Sequence, residues 1–92
     1  MQEVYQLTVH FSGHVQGVGF RWTTERIAQE FSVTGRVRNL VDGRVRMYVE
    51  GVQSEVEAFV AEVNNQMAEY ISEIISESSM GPQKYERYIM LR

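Results

Sequence analysis

Residues 13–21 read Gly-His-Val-Gln-Gly-Val-Gly-Phe-Arg, with three glycines in seven residues and an arginine at the start of an amphipathic segment. Glycines allow consecutive backbone N–H groups to turn toward one point, and the first turn of a helix adds unpaired N–H donors. The segment therefore predicts an anion-binding loop, or simply a turn from a strand into a helix. Arg21 would lie at the mouth of this loop, where a guanidinium can bind two oxygens of one phosphate group.

The patterns on either side of the loop predict a strand before it and a helix after it. Apolar and polar side chains alternate over residues 5–11, which is the period of a strand with one buried face. Downstream, apolar residues recur at helical spacing and predict helix one from about Gly19 to Phe31. The loop is thus expected to join the first strand to the first helix.

A β-hairpin is predicted next. Strand two is expected from about Val33 to Leu40, and strand three follows over residues 44–50 and ends at Gly51. Between them, Val41-Asp42-Gly43 has the composition of a tight turn.

The second half of the chain predicts one more helix and two more strands. Ser54 followed by Glu57 is typical of a capping box, and the helix that it begins carries an apolar stripe made of Val56, Phe59, Val60, Val63 and Met67. After Asn64-Asn65 the periodicity weakens, and we expect strand four to contain a bulge near Glu73 and Ile74. Residues 80–85 are expected to form a loop, followed by a short last strand that contains Ile89 and Leu91.

This order of elements, β-α-β-β-α-β with a short extra C-terminal strand, predicts an α+β fold. Specifically, it predicts a ferredoxin-like sandwich, with two helices on one face of an antiparallel sheet. Residues 1–92 are expected to form a single domain because their number allows one hydrophobic core and not two.

The composition excludes several classes of function. The chain has no cysteine, which rules out disulfides, thiolate zinc sites and thiol nucleophiles, and its two histidines make a histidine metal site improbable. It also has no signal-peptide pattern and no apolar run long enough to span a membrane, so we expect a cytoplasmic protein without a membrane partner. The net charge of −3 argues against general nucleic-acid binding, although residues 1–46 hold six arginines against four acidic residues.

Two segments resemble the signatures of the acylphosphatase family. The first is Gly13–Arg21 and the second is Gly35–Val45, which reads Gly-Arg-Val-Arg-Asn-Leu-Val-Asp-Gly-Arg-Val. They occur in the order and at the spacing found in that family, and the ending Ile89-Met90-Leu91-Arg92 looks like the family's closing strand. The resemblance is to a free-standing small acylphosphatase and covers nearly the whole chain.

The resemblance implies hydrolysis of acyl phosphates to a carboxylate and inorganic phosphate, without a metal or cofactor. Carried over by position, Arg21 would bind the phosphate and Asn39 would hold the attacking water. The phosphate cradle would be formed by backbone N–H groups of the loop, namely those of Val15, Gln16, Gly17, Val18, Gly19 and Phe20. Trp22 is expected to pack beside helix one, although an aromatic ring at the mouth could also contact the acyl group.

The chain departs from the family pattern at two places, and other functions stay open. Residues 64–68 replace a common Gly-Pro pair, and Leu40 follows Asn39 where many members have threonine. A non-catalytic acyl-phosphate or phosphate-binding module of the same fold is the main alternative. An RNA-binding protein is the other, but strands one and three offer only one aromatic residue, Tyr48, on the open sheet face. We therefore expect a monomer that acts on small-molecule acyl phosphates and does not bind nucleic acid.

Overall fold

A computed structural model describes residues 3–92. Five strands and two helices follow one another along the chain, with a short 3₁₀ helix at Ala68–Tyr70. The elements are β1 (Glu3–Gly13), α1 (Phe20–Ala28), β2 (Val33–Asn39), β3 (Val45–Gly51), α2 (Gln53–Gln66), β4 (Ile71–Pro82) and β5 (Tyr88–Met90). Neither helix within the described residues has the length and apolar composition needed to cross a membrane.

The strands form one sheet in the order β4-β1-β3-β2-β5, with both helices packed on one face. The first four strands pair in an antiparallel manner, as the sequence predicts, whereas β5 runs parallel to β2, so the sheet is mixed and not wholly antiparallel. The α+β ferredoxin-like fold is confirmed, including the short extra strand at the C-terminal end.

The core lies between the helices and the sheet. Val9, Phe11, Val37, Met47 and Val49 line the inner face of the sheet and have no exposed surface. The predicted stripe of α2 faces them, with Val56, Phe59 and Val63 fully buried. Alternation in β1 and β3 and helical spacing in α2 therefore identify the core-facing side correctly, because each element packs only one side against the core.

Both helices differ from their predicted ends. Helix α1 stops at Ala28 and not at Phe31, because the N–H groups of Gln29, Glu30 and Phe31 bond to carbonyls three residues back and tighten the chain into a turn. The prediction of a capping box at the start of α2 is wrong, because the residue before the helix is Val52 and no side chain caps the first turn.

Strand β4 is longer than expected. The predicted loop over residues 80–85 is wrong at its start, because β4 continues to Pro82 and pairs with the beginning of β1. The bulge exists, but the register shift lies where Ser12 and Gly13 face Glu73 and Ile71, so that Ser72 is the extra residue. Strand β2 also ends one residue early, at Asn39.

The segment between β4 and β5, residues 83–87, crosses the open face of the sheet, because the two strands lie at opposite edges. Glu50 on the central strand β3 holds this crossing segment. Its fully buried carboxylate accepts hydrogen bonds from the backbone N–H groups of Lys84 and Tyr85 and from the Tyr48 hydroxyl. Thr34 donates a further hydrogen bond to the same carboxylate at 3.0 Å.

Candidate active site

The loop between β1 and α1 contains two glycines in left-handed backbone conformations. Gly17 has a φ of 80° and Gly19 a φ of 76°, and a β-carbon at either position would meet no neighbouring atom within 4 Å. The constraint there is therefore conformational and not steric, since only glycine adopts this φ readily. Val15 and Phe20, which are 1% and 2% exposed, anchor the two ends of the loop in the core.

The loop borders an open cavity of about 240 Å³ together with both predicted catalytic side chains. Arg21 begins helix α1 just after the loop, and Asn39 ends strand β2 on the adjacent side. The cavity is lined by Val15, Gly17, Gly19, Phe20, Arg21, Trp22, Asn39 and Met90. Arg21, Asn39 and four of the six predicted cradle residues thus meet at one place.

Gln16 and Val18, the other two predicted cradle residues, do not line the cavity. Val18 is partly buried against the core. The Gln16 side chain donates hydrogen bonds to the carbonyl oxygens of Leu40 at 2.8 Å and Arg44 at 2.9 Å. Gln16 therefore fastens the loop to the hairpin whose first strand ends at Asn39.

Arg21 is held by the C-terminal end of the chain. Its Nη1 donates to the carbonyl oxygen of Leu91 at 2.6 Å. A guanidinium has five N–H donors, so this bond orients the side chain and leaves other donors for a ligand. Strand β5 is fixed to the same helix, because Glu25 accepts a hydrogen bond from the Met90 N–H at 2.9 Å.

The electrostatics of the cavity favour an anion. Among the described residues that line it, Arg21 is charged and none is Asp or Glu. In the hairpin turn, the Arg44 backbone N–H and guanidinium both bind Asp42, which lowers the pKa of that carboxyl and keeps it paired. No three His, Asp or Glu side chains within residues 3–92 come together at distances that could hold a metal ion.

Three residues near the site were missed or left undecided from the sequence. Trp22 is 58% exposed, with the Arg26 guanidinium over its ring, and it lines the cavity, so it lies at the mouth, the second of its two expected positions. Met90 also lines the cavity, and Leu91 acts through its backbone carbonyl. Since every residue has a carbonyl, no sequence signal marks Leu91 for this role.

The fold and the cavity together define a small α+β domain with a glycine loop, an arginine and an asparagine around one open cavity. A family model described as acylphosphatase matches residues 7–89. An acylphosphatase of Lactobacillus johnsonii is 46% identical over 57 residues, 62% of this chain and 63% of that protein. One of Corynebacterium glutamicum is 43% identical over 68 residues, 74% of this chain and 72% of that protein.

The comparison of structures agrees with that of the sequences. The crystal structure of an acylphosphatase from Bacillus subtilis superposes with a TM-score of 0.86 at 28% identity, covering 96% of this chain and 99% of the other. The chain belongs to the acylphosphatase family. The matched segment nevertheless spans less than two thirds of the length of the Lactobacillus relative.

Proposed function

We propose that the chain is an acylphosphatase, which hydrolyses the carboxyl-phosphate bond of small-molecule acyl phosphates to a carboxylate and inorganic phosphate. One observation carries this proposal: Arg21, Asn39 and the glycine loop line the same cavity. Membership of the family supports it.

In this proposal the loop and Arg21 hold the phosphoryl group. Fixed N–H donors and a guanidinium that does not lose its proton stabilise the three phosphoryl oxygens without reorganising during the reaction. An acyl phosphate is already activated, since its leaving group is a carboxylate. The protein therefore mainly has to position the phosphoryl group for in-line attack.

Asn39 positions the attacking water. Its amide accepts a hydrogen bond from the water and can also donate one, but it is too weak a base to remove a proton. The cavity lining within the described residues contains no carboxylate, so a phosphate oxygen of the substrate accepts the proton. The water oxygen then forms the new bond to phosphorus as the carboxylate leaves.

The test is hydrolysis of benzoyl phosphate in EDTA by the wild type and by Arg21→Ala and Asn39→Ala, with folding checked by circular dichroism. Each variant is expected to lose roughly 100-fold or more in kcat, as for the removal of a preorganised donor. Arg26→Ala is the matched control, because Arg26 lies on the same helix but outside the cavity.

Each alternative outcome has a definite meaning. A folded wild type without turnover would identify a non-catalytic phosphate-binding module. Activity that survives in both variants would place the site elsewhere.

Three further properties form part of the proposal. Residues 1–92 act as one domain, the protein works as a cytoplasmic monomer, and its partners are small acyl phosphates, without nucleic acid or a membrane. The ferredoxin-like fold supports the first of these, because its two helices and one sheet share a single core.

A further inference from the structure

A second concave site lies on the open face of the sheet, on the side opposite the helices. Four basic and two aromatic side chains line it, and we call it the open-face pocket: Arg36, Arg38, Arg46, Tyr48, Lys84 and Tyr85. Its volume is about 190 Å³. Arg46 and Tyr48 of strand β3 were expected on this face, whereas β2 and the crossing segment supply the other four side chains.

The strand register concentrates positive charge there. Arg38 on β2 lies directly opposite Arg46 on β3. Like charges in such facing positions destabilise a sheet. Both side chains are exposed, so a bound anion would relieve their repulsion.

The basic side chains have no carboxylate partner. Among residues 3–92 the one ion pair within 4.0 Å joins Arg44 to Asp42, which lies outside the pocket. Glu50 lies on the same face of β3, but it is fully buried and already accepts hydrogen bonds from Tyr48, Lys84 and Tyr85. Its charge is therefore used to hold the crossing segment.

Each of the two tyrosine rings has a cation over one of its faces. The Arg36 guanidinium lies 4.0 Å from the centre of the Tyr85 ring, and the Lys84 ammonium lies 5.2 Å from that of Tyr48. Arg36 is further fixed by a hydrogen bond of 2.8 Å to the Arg87 carbonyl. With a cation over one face of each ring, the rings are less available to stack on nucleic-acid bases, which is how single strands are usually bound.

We propose that the open-face pocket binds a compact anion that carries two or more phosphate groups. Several guanidinium and ammonium donors that converge from three segments suit a multiply charged ligand, and arginine matches phosphate oxygens in pairs. The volume is below the roughly 300 Å³ typical of drug-sized sites, which favours a small ligand over an extended polymer. Leu91, whose carbonyl binds Arg21, also lines the pocket, but the two sites share no basic side chain, so the inference does not rest on the proposed hydrolysis.

The experiment is a titration of the ¹⁵N-labelled protein with sodium tripolyphosphate, followed by NMR at about 0.15 M salt to screen weak surface attraction. We expect saturating shifts of the backbone amides of residues 36–38, 46–48 and 84–85, with a dissociation constant below about 1 mM. This constant is to be fitted separately from that of loop residues 17–20. Inorganic phosphate should bind the same amides more weakly, because it offers a single phosphate group.

Arg46→Gln is the decisive variant, and it should fold because it removes a like-charge pair. It should weaken tripolyphosphate binding at the open-face amides roughly 10-fold, as expected for the loss of a charged hydrogen bond. Arg38→Gln should do the same. Arg26→Gln, with the same change of charge on helix α1, should leave the constant unchanged.

Three results would overturn the proposal. One is a lack of shifts at the open-face amides while those of the loop respond. Another is a loss of binding in Arg26→Gln equal to that in Arg46→Gln, which would indicate general charge attraction only. Tighter binding of a thymidine oligonucleotide of equal charge would assign the face to single-stranded nucleic acid.

Discussion

Glu50 illustrates how a single buried charge can hold a long connection in place. Burial by itself raises the pKa of this carboxyl, but hydrogen bonds from Tyr48, the Lys84 and Tyr85 amides and Thr34 outweigh it and lower the pKa. A lowered pKa in the folded state means that the ionised carboxylate stabilises the fold. This contribution is complete above the ordinary pKa of 4.5 and disappears as the pH falls through the lower folded value.

Glu50→Gln should therefore reduce the free energy of unfolding by about 1–3 kcal/mol near neutral pH, because an amide N–H₂ would face donors that need an acceptor. The difference from the wild type should shrink in acid, where the wild-type carboxyl is itself protonated. Urea denaturation of both proteins, near neutral pH and again in acid, measures this difference in the free energy of unfolding. Glu57→Gln, at an exposed position on α2, serves as the control and should stay within about 0.5 kcal/mol of the wild type. Equal stability of Glu50→Gln and wild type would refute the anchoring role.

The pKa of the His10 imidazole depends on the positive charge of the open face. Burial and the nearby Arg44 and Arg46 lower the pKa of its imidazole below 6.5, while Asp42 and Glu77 act weakly in the opposite direction. Because Arg46 is its cross-strand neighbour, Arg46→Gln should raise the pKa of His10. The folded wild type binds fewer protons here than the unfolded chain, so stability declines as the pH falls below 6.5, and this decline should be smaller in the variant.

An NMR titration of the His10 ring protons measures the shift. Arg26→Gln, on the opposite side of the sheet, should leave the His10 pKa where it is. An unchanged His10 pKa in the Arg46→Gln variant would mean that burial and Arg44 lower it without a contribution from Arg46.

At the scale of elements, the candidate active site depends on the joining of the loop to the β2–β3 hairpin. Gln16 makes this connection through two hydrogen bonds to hairpin carbonyls, at 2.8 and 2.9 Å. It is a positioning residue, since it does not line the cavity. The relative placement of the cradle and Asn39 should therefore change when its amide is removed.

Gln16→Ala should lower kcat/KM for benzoyl phosphate by roughly 10- to 100-fold, the range expected for a displacement of about 1 Å near the reacting groups. The loss should fall mainly on kcat, because Arg21 and the loop still bind the phosphate while Asn39 is displaced from them. Steady-state kinetics separate kcat from KM, and Gln53→Ala on α2 is the control. A purely structural role would instead lower thermal stability and leave the kinetic constants of the folded fraction unchanged.

The sequence predicts the elements that bury one face and fails where no face is buried. Strands β1 and β3 and helix α2 show clear periodicity, because the core covers one side of each. In β4, residues 72–80 are all exposed, so no alternation between buried and exposed positions marks its ends. The sequence does not predict the path of the crossing segment for a related reason. Glutamate is usually exposed, so nothing in the sequence indicates that Glu50 is buried and holds this segment.

The candidate site was predicted from the family resemblance more than from residue chemistry. The glycine loop indicates an anion site by itself, but Asn39 without the family pattern is more typical of a residue that precedes a turn. Its position on the cavity follows from the strand register, which pairs Asn39 with Val45 at the end of the hairpin. The Leu91 carbonyl that holds Arg21 has no counterpart in the sequence pattern.

At the scale of the whole molecule, the two edges of the sheet differ sharply. Strand β5 covers one edge with three residues, whereas β4 presents twelve residues at the other. Ile75 on β4 is 49% exposed, and the residues two positions before and after it on the same face are Glu73 and Glu77. Unpaired edge strands invite pairing between molecules, and charged neighbours oppose it.

Glu73→Val/Glu77→Val should therefore convert this edge into a self-association site. Removing the two carboxylates leaves Ile75 within an apolar, β-branched stripe beside unpaired backbone groups. Sedimentation velocity over a range of concentrations should show dimers and larger species for this variant. Glu30→Val/Glu57→Val, which brings the net charge from −3 to the same −1 at exposed positions off the sheet, should behave like the wild type. If both variants associate equally, lost net repulsion is the cause; if only the edge variant associates and a further Ile75→Lys change restores the monomer, the two glutamates protect the β4 edge.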